Sequence, residues 1–295
     1  MKSLRRAALS LSILLVVACM PKEIPPPLPP PPRPAKIAVV LGAGASRGFA
    51  HVGVLKILES QKVPIHLIVG TSSGSFVGSI CAYGYDAFQI QQMALAIQKD
   101  DVVDLTIPDN GFVRGEKLES FVNRAVRHSP LERLRIPFLA VATNVQTGEE
   151  TVFVTGNTGK AVRASCSVPG IFQPVRIGEK TYVDGGVVSP VAVNAARNAG
   201  ADVVIAVDIS AGVAGTLPQG TLETILQSID IMYAKISATQ IRNADVVIRP
   251  RVNHINSSDF ERRHEAILEG EKAAAAAMPR INQILGKLRQ EGRLP

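Results

Sequence analysis

Three short stretches of this chain carry residues that can do acyl-transfer chemistry. Gly70-Thr71-Ser72-Ser73-Gly74 is a G-x-S-x-G. Where such a turn joins a strand to a helix, it lifts the serine hydroxyl to the carboxyl edge of a sheet. The backbone then crowds so closely that only glycine fits on either side, here Gly70 and Gly74. The free amides and the dipole of the following helix favour negative charge beside the serine. A second turn, Gly42-Ala43-Gly44-Ala45-Ser46-Arg47-Gly48, is built of small residues whose amides can approach a ligand oxygen. Such amides stabilise the oxyanion of a tetrahedral intermediate. A dinucleotide-binding turn is a weaker reading: the glycines miss the G-x-G-x-x-G spacing, and the second strand ends at Gly70-Thr71-Ser72 where a ribose-binding acid belongs. Third, Asp184-Gly185-Gly186 follows a short apolar run and sets a carboxylate at a strand end, although an ordinary tight turn shares that pattern.

A serine nucleophile usually passes its proton to histidine. The five histidines are His51, His66, His128, His254 and His264. His51 falls in the helix after the first glycine-rich turn and His264 in a charged C-terminal helix, neither with the strand-end position expected of such a base, and most of the five read as solvated or packed side chains. Aspartate is a weak base toward a hydroxyl. A serine–aspartate pair therefore depends on desolvation, oxyanion donors and proton transfer concerted with attack.

The elements that must position these residues follow from periodicity. Lys36–Leu41 and Pro64–Val69 are short, β-branched and continuously apolar, as buried strands are. Phe49–Glu59 and Ser73–Tyr83 read as the helices after them. This β-turn-α order, repeated, requires parallel strands with helices packed on the sheet. Further helices are expected at 86–98, 115–126, 159–167, 191–198 and 221–241, and further strands at 138–145, 150–154, 181–183, 202–207 and 245–248. Ser258 is a candidate cap for the last helix, which holds the helix-favouring run Ala273–Ala277. No internal repeat and no second folded domain is evident.

The span from Lys36 to about Ala277 resembles the patatin-like phospholipase family. The resemblance rests on the 42–48 loop with Ala50-His51-Val52-Gly53-Val54-Leu55, on Gly70-Thr71-Ser72-Ser73-Gly74-Ser75, and on Ala164-Ser165 with Val168-Pro169-Gly170-Ile171-Phe172. It continues in Tyr182-Val183-Asp184-Gly185-Gly186, Ala244-Asp245-Val246-Val247-Ile248-Arg249-Pro250 and Asp259-Phe260. Each motif is modest, and their order and spacing together are specific. The resemblance implies a three-layer α/β fold, with a mostly parallel central sheet and helices on both faces. It implies a Ser72–Asp184 dyad with no metal and no cofactor, and an oxyanion hole around Ala43, Gly44 and Ala45 with Arg47 nearby. It also implies hydrolysis of carboxyl esters in phospholipid or lysophospholipid. The chain departs from the family at Ala43 and Ala45, where many members carry glycine; alanine resists positive φ. A thioesterase or general esterase on soluble acyl groups, and a tethered binding protein, stay open as alternatives.

The N-terminal end reads separately. Lys2, Arg5 and Arg6 precede an apolar run from Ala7 to Ala18, which has the proportions of a signal peptide. Val16-Val17-Ala18-Cys19 resembles the lipobox of bacterial lipoproteins, which implies cleavage after residue 18 and a diacylglycerol on Cys19. The nearly all-proline run Pro25–Pro34 fits a polyproline II spacer within a linker over residues 19–35, ahead of a folded domain over 36–295. The expected location is the bacterial cell envelope, on the periplasmic side, held to a membrane by the lipid. Losing Lys2, Arg5 and Arg6 lowers the formal charge of +7 by three, to +4. No long basic run suggests nucleic acid. Cys81 and Cys166, the other cysteines, sit among apolar or small residues and read as buried thiols.

Overall fold

Every residue of β1 (Ile37–Leu41) is buried, so this strand must lie inside a sheet covered on both faces. The computed structural model shows that arrangement. It describes residues 32–107, 109–210 and 217–295; the signal-like segment, Cys19 and the prolines up to residue 31 lie outside the described residues. Residues Pro34–Pro295 form one compact unit. β2 (Leu67–Thr71), β3 (Phe138–Asn144), β7 (Val203–Val207) and β8 (Val246–Ile248) join β1 in parallel register. β4 (Glu150–Phe153) and β6 (Lys180–Asp184) run antiparallel to β3, and β5 (Val175–Ile177) antiparallel to β6. The order is β5-β6-β3-β2-β1-β7-β8, with β4 also on β3. The sheet is therefore mixed, parallel through its centre and antiparallel at one end. β5 has no counterpart in the sequence reading, because three residues with an exposed arginine in the middle carry no period.

The helices cover both faces. Ile37, Val39 and Leu41 point into one apolar layer with α1 (Phe49–Ser60), α2 (Ser73–Tyr83) and the long C-terminal helix α9 (Arg263–Gln290). Ala38 and Val40 point into the other, with Val193, Ala195 and Ala196 of α7 (Val193–Asn198). Between them in sequence come α3 (Ala87–Ala96), α4 (Lys99–Val102), α5 (Glu116–Ala125), α6 (Thr158–Ser165) and α8 (Thr221–Gln240). The last helix starts at Arg263, past the expected cap. Ser258 instead turns back to Asn256, and Asp259 accepts the amides of Glu261 and Arg262.

One feature of the register matters for chemistry. β2 pairs with β3 up to Thr71 opposite Val141, and β6 pairs with β3 from Asp184 opposite Ala142. Successive residues of β3 thus bring the carboxyl end of β2 and the carboxyl end of β6 together.

Candidate active site

Ser72 stands between β2 and α2 with φ 55° and ψ −125°, a conformation that L-residues avoid. The surroundings over-determine it. Its carbonyl accepts the amides of Ser75 and Phe76 and the Ser75 hydroxyl, and its amide donates to Ser165 Oγ at 2.9 Å. Ser165 in turn donates to the Val141 carbonyl at 2.6 Å, which ties the turn to β3. The flanking glycines are sterically required. A Cβ on Gly74 would lie 2.0 Å from the Leu41 carbonyl oxygen, and one on Gly70 2.5 Å from Ser75 Cα. Strained backbone held in this way is characteristic of functional sites.

Asp184 ends β6, fully buried. Its Oδ2 accepts Ser72 Oγ–H at 2.5 Å and its Oδ1 accepts the Gly186 amide at 2.7 Å. Its backbone is pinned on both sides: its amide donates to the Ser167 carbonyl, and its carbonyl accepts the Thr143 hydroxyl. Gly185 is confined by the Val141 carbonyl, 2.2 Å from where its Cβ would lie. Burial raises the Asp184 carboxyl from an ordinary 3.8 to about 6, and hydrogen bonds from Ser72 and Gly186 oppose that rise. The group is thus a stronger base than an exposed aspartate and still mostly ionised at neutral pH.

The small-residue loop lies beside them. Ala45 shares a cavity wall with Ser72 and has φ 50°, the strain expected of alanine in a glycine-favouring turn. Among the described residues, the amides of Gly44 and Ala45 donate to no other group, which leaves both available to an oxyanion. Two of the four expected oxyanion residues serve otherwise. The Ala43 amide donates to the Pro190 carbonyl at 2.8 Å, and the Arg47 amide to the Gly44 carbonyl. The Arg47 side chain, 2% exposed, donates Nε to that same carbonyl and pairs with Asp230 of α8. Its charge braces the loop, because it is already neutralised before any ligand arrives. His51 braces the loop as well, donating Nε2 to the Gly42 carbonyl at 2.8 Å. Burial depresses its pKa to about 4, so the ring is neutral.

Three neighbours carry no sequence signal of their own. Asp230 and Tyr233 sit on α8, and Cys166 is a free buried thiol 3.7 Å from Ser75 Oγ, its pKa raised by burial and then by the charge of Asp184. A cavity of about 360 Å³ runs from Ser72 between α2, α3 and α5. Phe76, Ile80, Met93, Ile97, Leu118 and Phe121 form its walls, and its lining is almost wholly apolar. Its size is that of a small-ligand pocket.

Comparison with known proteins bears on this geometry. A family model described as "Patatin-like phospholipase" matches residues 39–197. Patatin-like phospholipase domain-containing protein 6 of Homo sapiens is 34% identical over 181 residues, covering 59% of this chain and 13% of the human protein. An uncharacterized NTE family protein of Mycobacterium tuberculosis is 33% identical over 182 residues, covering 61% of this chain and 51% of its own length. The chain thus spans from about an eighth to about half of the length of these relatives. Among solved structures, VipD from Legionella pneumophila superposes with a TM-score of 0.55 at 14% identity, over 84% of this chain and 67% of that one, a similarity of fold.

Proposed function

The chain belongs to the patatin-like phospholipase family, and we propose that it is a serine acyl hydrolase that cleaves carboxyl esters of phospholipid or lysophospholipid. The observation that carries this reading is the 2.5 Å contact of Ser72 Oγ with Asp184 Oδ2 at the end of an apolar cavity. In this mechanism Asp184 takes the hydroxyl proton as Ser72 Oγ bonds to the acyl carbon. The Gly44 and Ala45 amides hold the oxyanion. Collapse of the intermediate breaks the ester C–O bond, and the departing alkoxide takes the proton from Asp184. Water then adds to the acyl-enzyme, passing one proton through Asp184 back to Ser72 and releasing the carboxylic acid. The acyl chain lies along Phe76 and Ile80, where water is excluded. No metal or cofactor enters the scheme.

We also propose that the chain is lipid-anchored. Cys19 carries diacylglycerol in the bacterial envelope, and the proline run spaces the domain from the membrane on the periplasmic side. Several acyl chains anchor firmly where one does not.

One experiment tests both parts. The full chain, expressed in a bacterial host and extracted in detergent, is treated with a fluorophosphonate and digested for mass spectrometry. The expected adduct is on Ser72, absent in Ser72→Ala and strongly reduced in Asp184→Asn. The N-terminal peptide should begin at a lipid-modified Cys19. A folded protein that stays unlabelled, or an adduct on another serine, removes the catalytic reading. An unmodified Cys19 removes the anchor.

A further inference from the structure

Tyr233, on the inner face of α8, is 5% exposed, and among the described residues its hydroxyl has no partner of ordinary hydrogen-bond geometry. Folded proteins seldom leave a buried hydroxyl in that state without a reason. The ring packs with Ile229 against Ala43 of the small-residue loop. Its polar end lies on the Asp184-Gly185-Gly186 turn. A Cβ on Gly186 would fall 2.3 Å from Tyr233 Cζ and 2.6 Å from its hydroxyl oxygen. The second glycine of the turn is therefore the space that this tyrosine occupies. The amide of the same Gly186 donates to Asp184 Oδ1, so the hydroxyl stands next to that carboxylate. Both carboxylate oxygens accept one hydrogen bond and have capacity for another.

The geometry points to Tyr233 as a positioning residue for the base: its hydroxyl donates to the Asp184 carboxylate, keeps Oδ2 turned to Ser72, and holds the base ionised near neutral pH. This rests on the hydrolase reading above. The phenol can only donate there, since burial and then the charge of Asp184 push its own pKa well up. The other titratable groups facing the carboxylate are few. Cys166, which follows α6, is kept neutral by burial, and Asp230 on α8 is paired with Arg47. Among the described residues, Ser72 and the Gly186 amide are the remaining donors. Tyr233 and Asp230 stand three residues apart on one helix face, so α8 braces the base through one and the oxyanion loop, through Arg47, by the other.

Tyr233→Phe in the full chain tests this, because it keeps the ring in the space at Gly186 and removes only the hydroxyl. Hydrolysis of p-nitrophenyl butyrate is followed from pH 5 to 9. Losing one hydrogen bond to a charged group should move the acidic limb up by roughly one pH unit, lowering the rate at pH 6 about fivefold while the alkaline plateau falls far less. In parallel, the carboxyl carbon of Asp184 in protein labelled with ¹³C-aspartate, assigned through Asp184→Asn, is titrated by NMR in both forms. Its midpoint should rise by the same amount. A purely structural role would lower the rate evenly across pH with the midpoint unmoved, and that result overturns the proposal, as does a midpoint that falls. If the parent chain hydrolyses no ester, the hydrolase reading fails by itself, and the NMR midpoints still decide whether Tyr233 tunes Asp184.

Discussion

At the scale of the residue, basicity at Asp184 is obtained at the expense of stability. Its carboxyl titrates near 3.8 when exposed and near 6 in the fold. Between those values the folded state binds more protons than the unfolded state, so this group's contribution is most favourable below pH 4 and is lost as pH rises through 6. Asparagine keeps the shape and removes the charge. Asp184→Asn should therefore be inactive yet more stable at pH 7, by on the order of 2–3 kcal/mol, with the gain fading as pH falls toward 4. Urea unfolding of the two forms at pH 4, 5.5 and 7 measures it; a gain that does not depend on pH would mean that the charge is not the cause. His51 has the opposite sense: its depressed pKa favours the fold above 6.5 and costs stability as pH falls toward 4. Ser72 and Asp184 were legible in the sequence because each is announced by the glycines its neighbourhood demands. Tyr233 was not, since the glycine that marks it, Gly186, belongs to a different segment. Nor was the use of the Ala43 amide, which depends on where the Pro190 carbonyl falls.

At the scale of the element, the parallel strands and their helices were readable because buried strands of β-branched residues and helices of ten or more residues carry strong periods. The antiparallel end was harder. β5 is three residues long, and the abutting registers of β2 and β6 on β3, which assemble the site, are a tertiary property with no local signal. Packing of α1 on α9 was equally hidden, although it rests on two glycines. A Cβ on Gly53 would lie 2.0 Å from the Ile267 carbonyl oxygen, and one on Gly270 2.0 Å from that of Ala50. The helices touch backbone to backbone there, and α1 also carries His51, which holds the small-residue loop. Gly270→Ala should therefore cost roughly 2–4 kcal/mol and reduce esterase activity through the displaced loop. Gly286, further along the same helix, has no described neighbour outside the helix's own nearby backbone within 4 Å of where a Cβ would lie. Gly286→Ala should stabilise by about 0.5–1 kcal/mol through helix propensity alone. Thermal melts of the pair decide the matter, and equal effects at the two positions would refute close packing as the cause.

At the scale of the whole molecule, the cavity that holds Ser72 opens among side chains that face solvent. Leu105 is 80% exposed and Phe112 and Leu222 about half, and all three also line the cavity; Ile107, two residues on, is 87% exposed. The Thr106 amide bonds to the Phe112 carbonyl, so the first two and Ile107 sit on one short ribbon. An apolar rim continuous with an apolar cavity is what a substrate entering from a lipid surface requires. The cleft next to Leu105 is lined by four acids, Asp100, Asp101, Asp104 and Glu116, and by three bases, so charge gives no pull toward anionic lipid. For the proposed hydrolase, Leu105→Asp with Ile107→Asp should slow turnover on zwitterionic phosphatidylcholine vesicles by about tenfold or more, since each aliphatic side chain kept in water forgoes its transfer free energy. A chain starting at residue 32, which keeps the compact unit Pro34–Pro295 and lacks the signal-like segment and Cys19, is the right background, because an anchored chain would hide the difference. Hydrolysis of a short soluble ester should be nearly unchanged, and added salt should matter little on vesicles. Equal loss on both substrates would mean that the ribbon shapes the cavity and does not meet the membrane, while unchanged rates on both would assign lipid entry to another face.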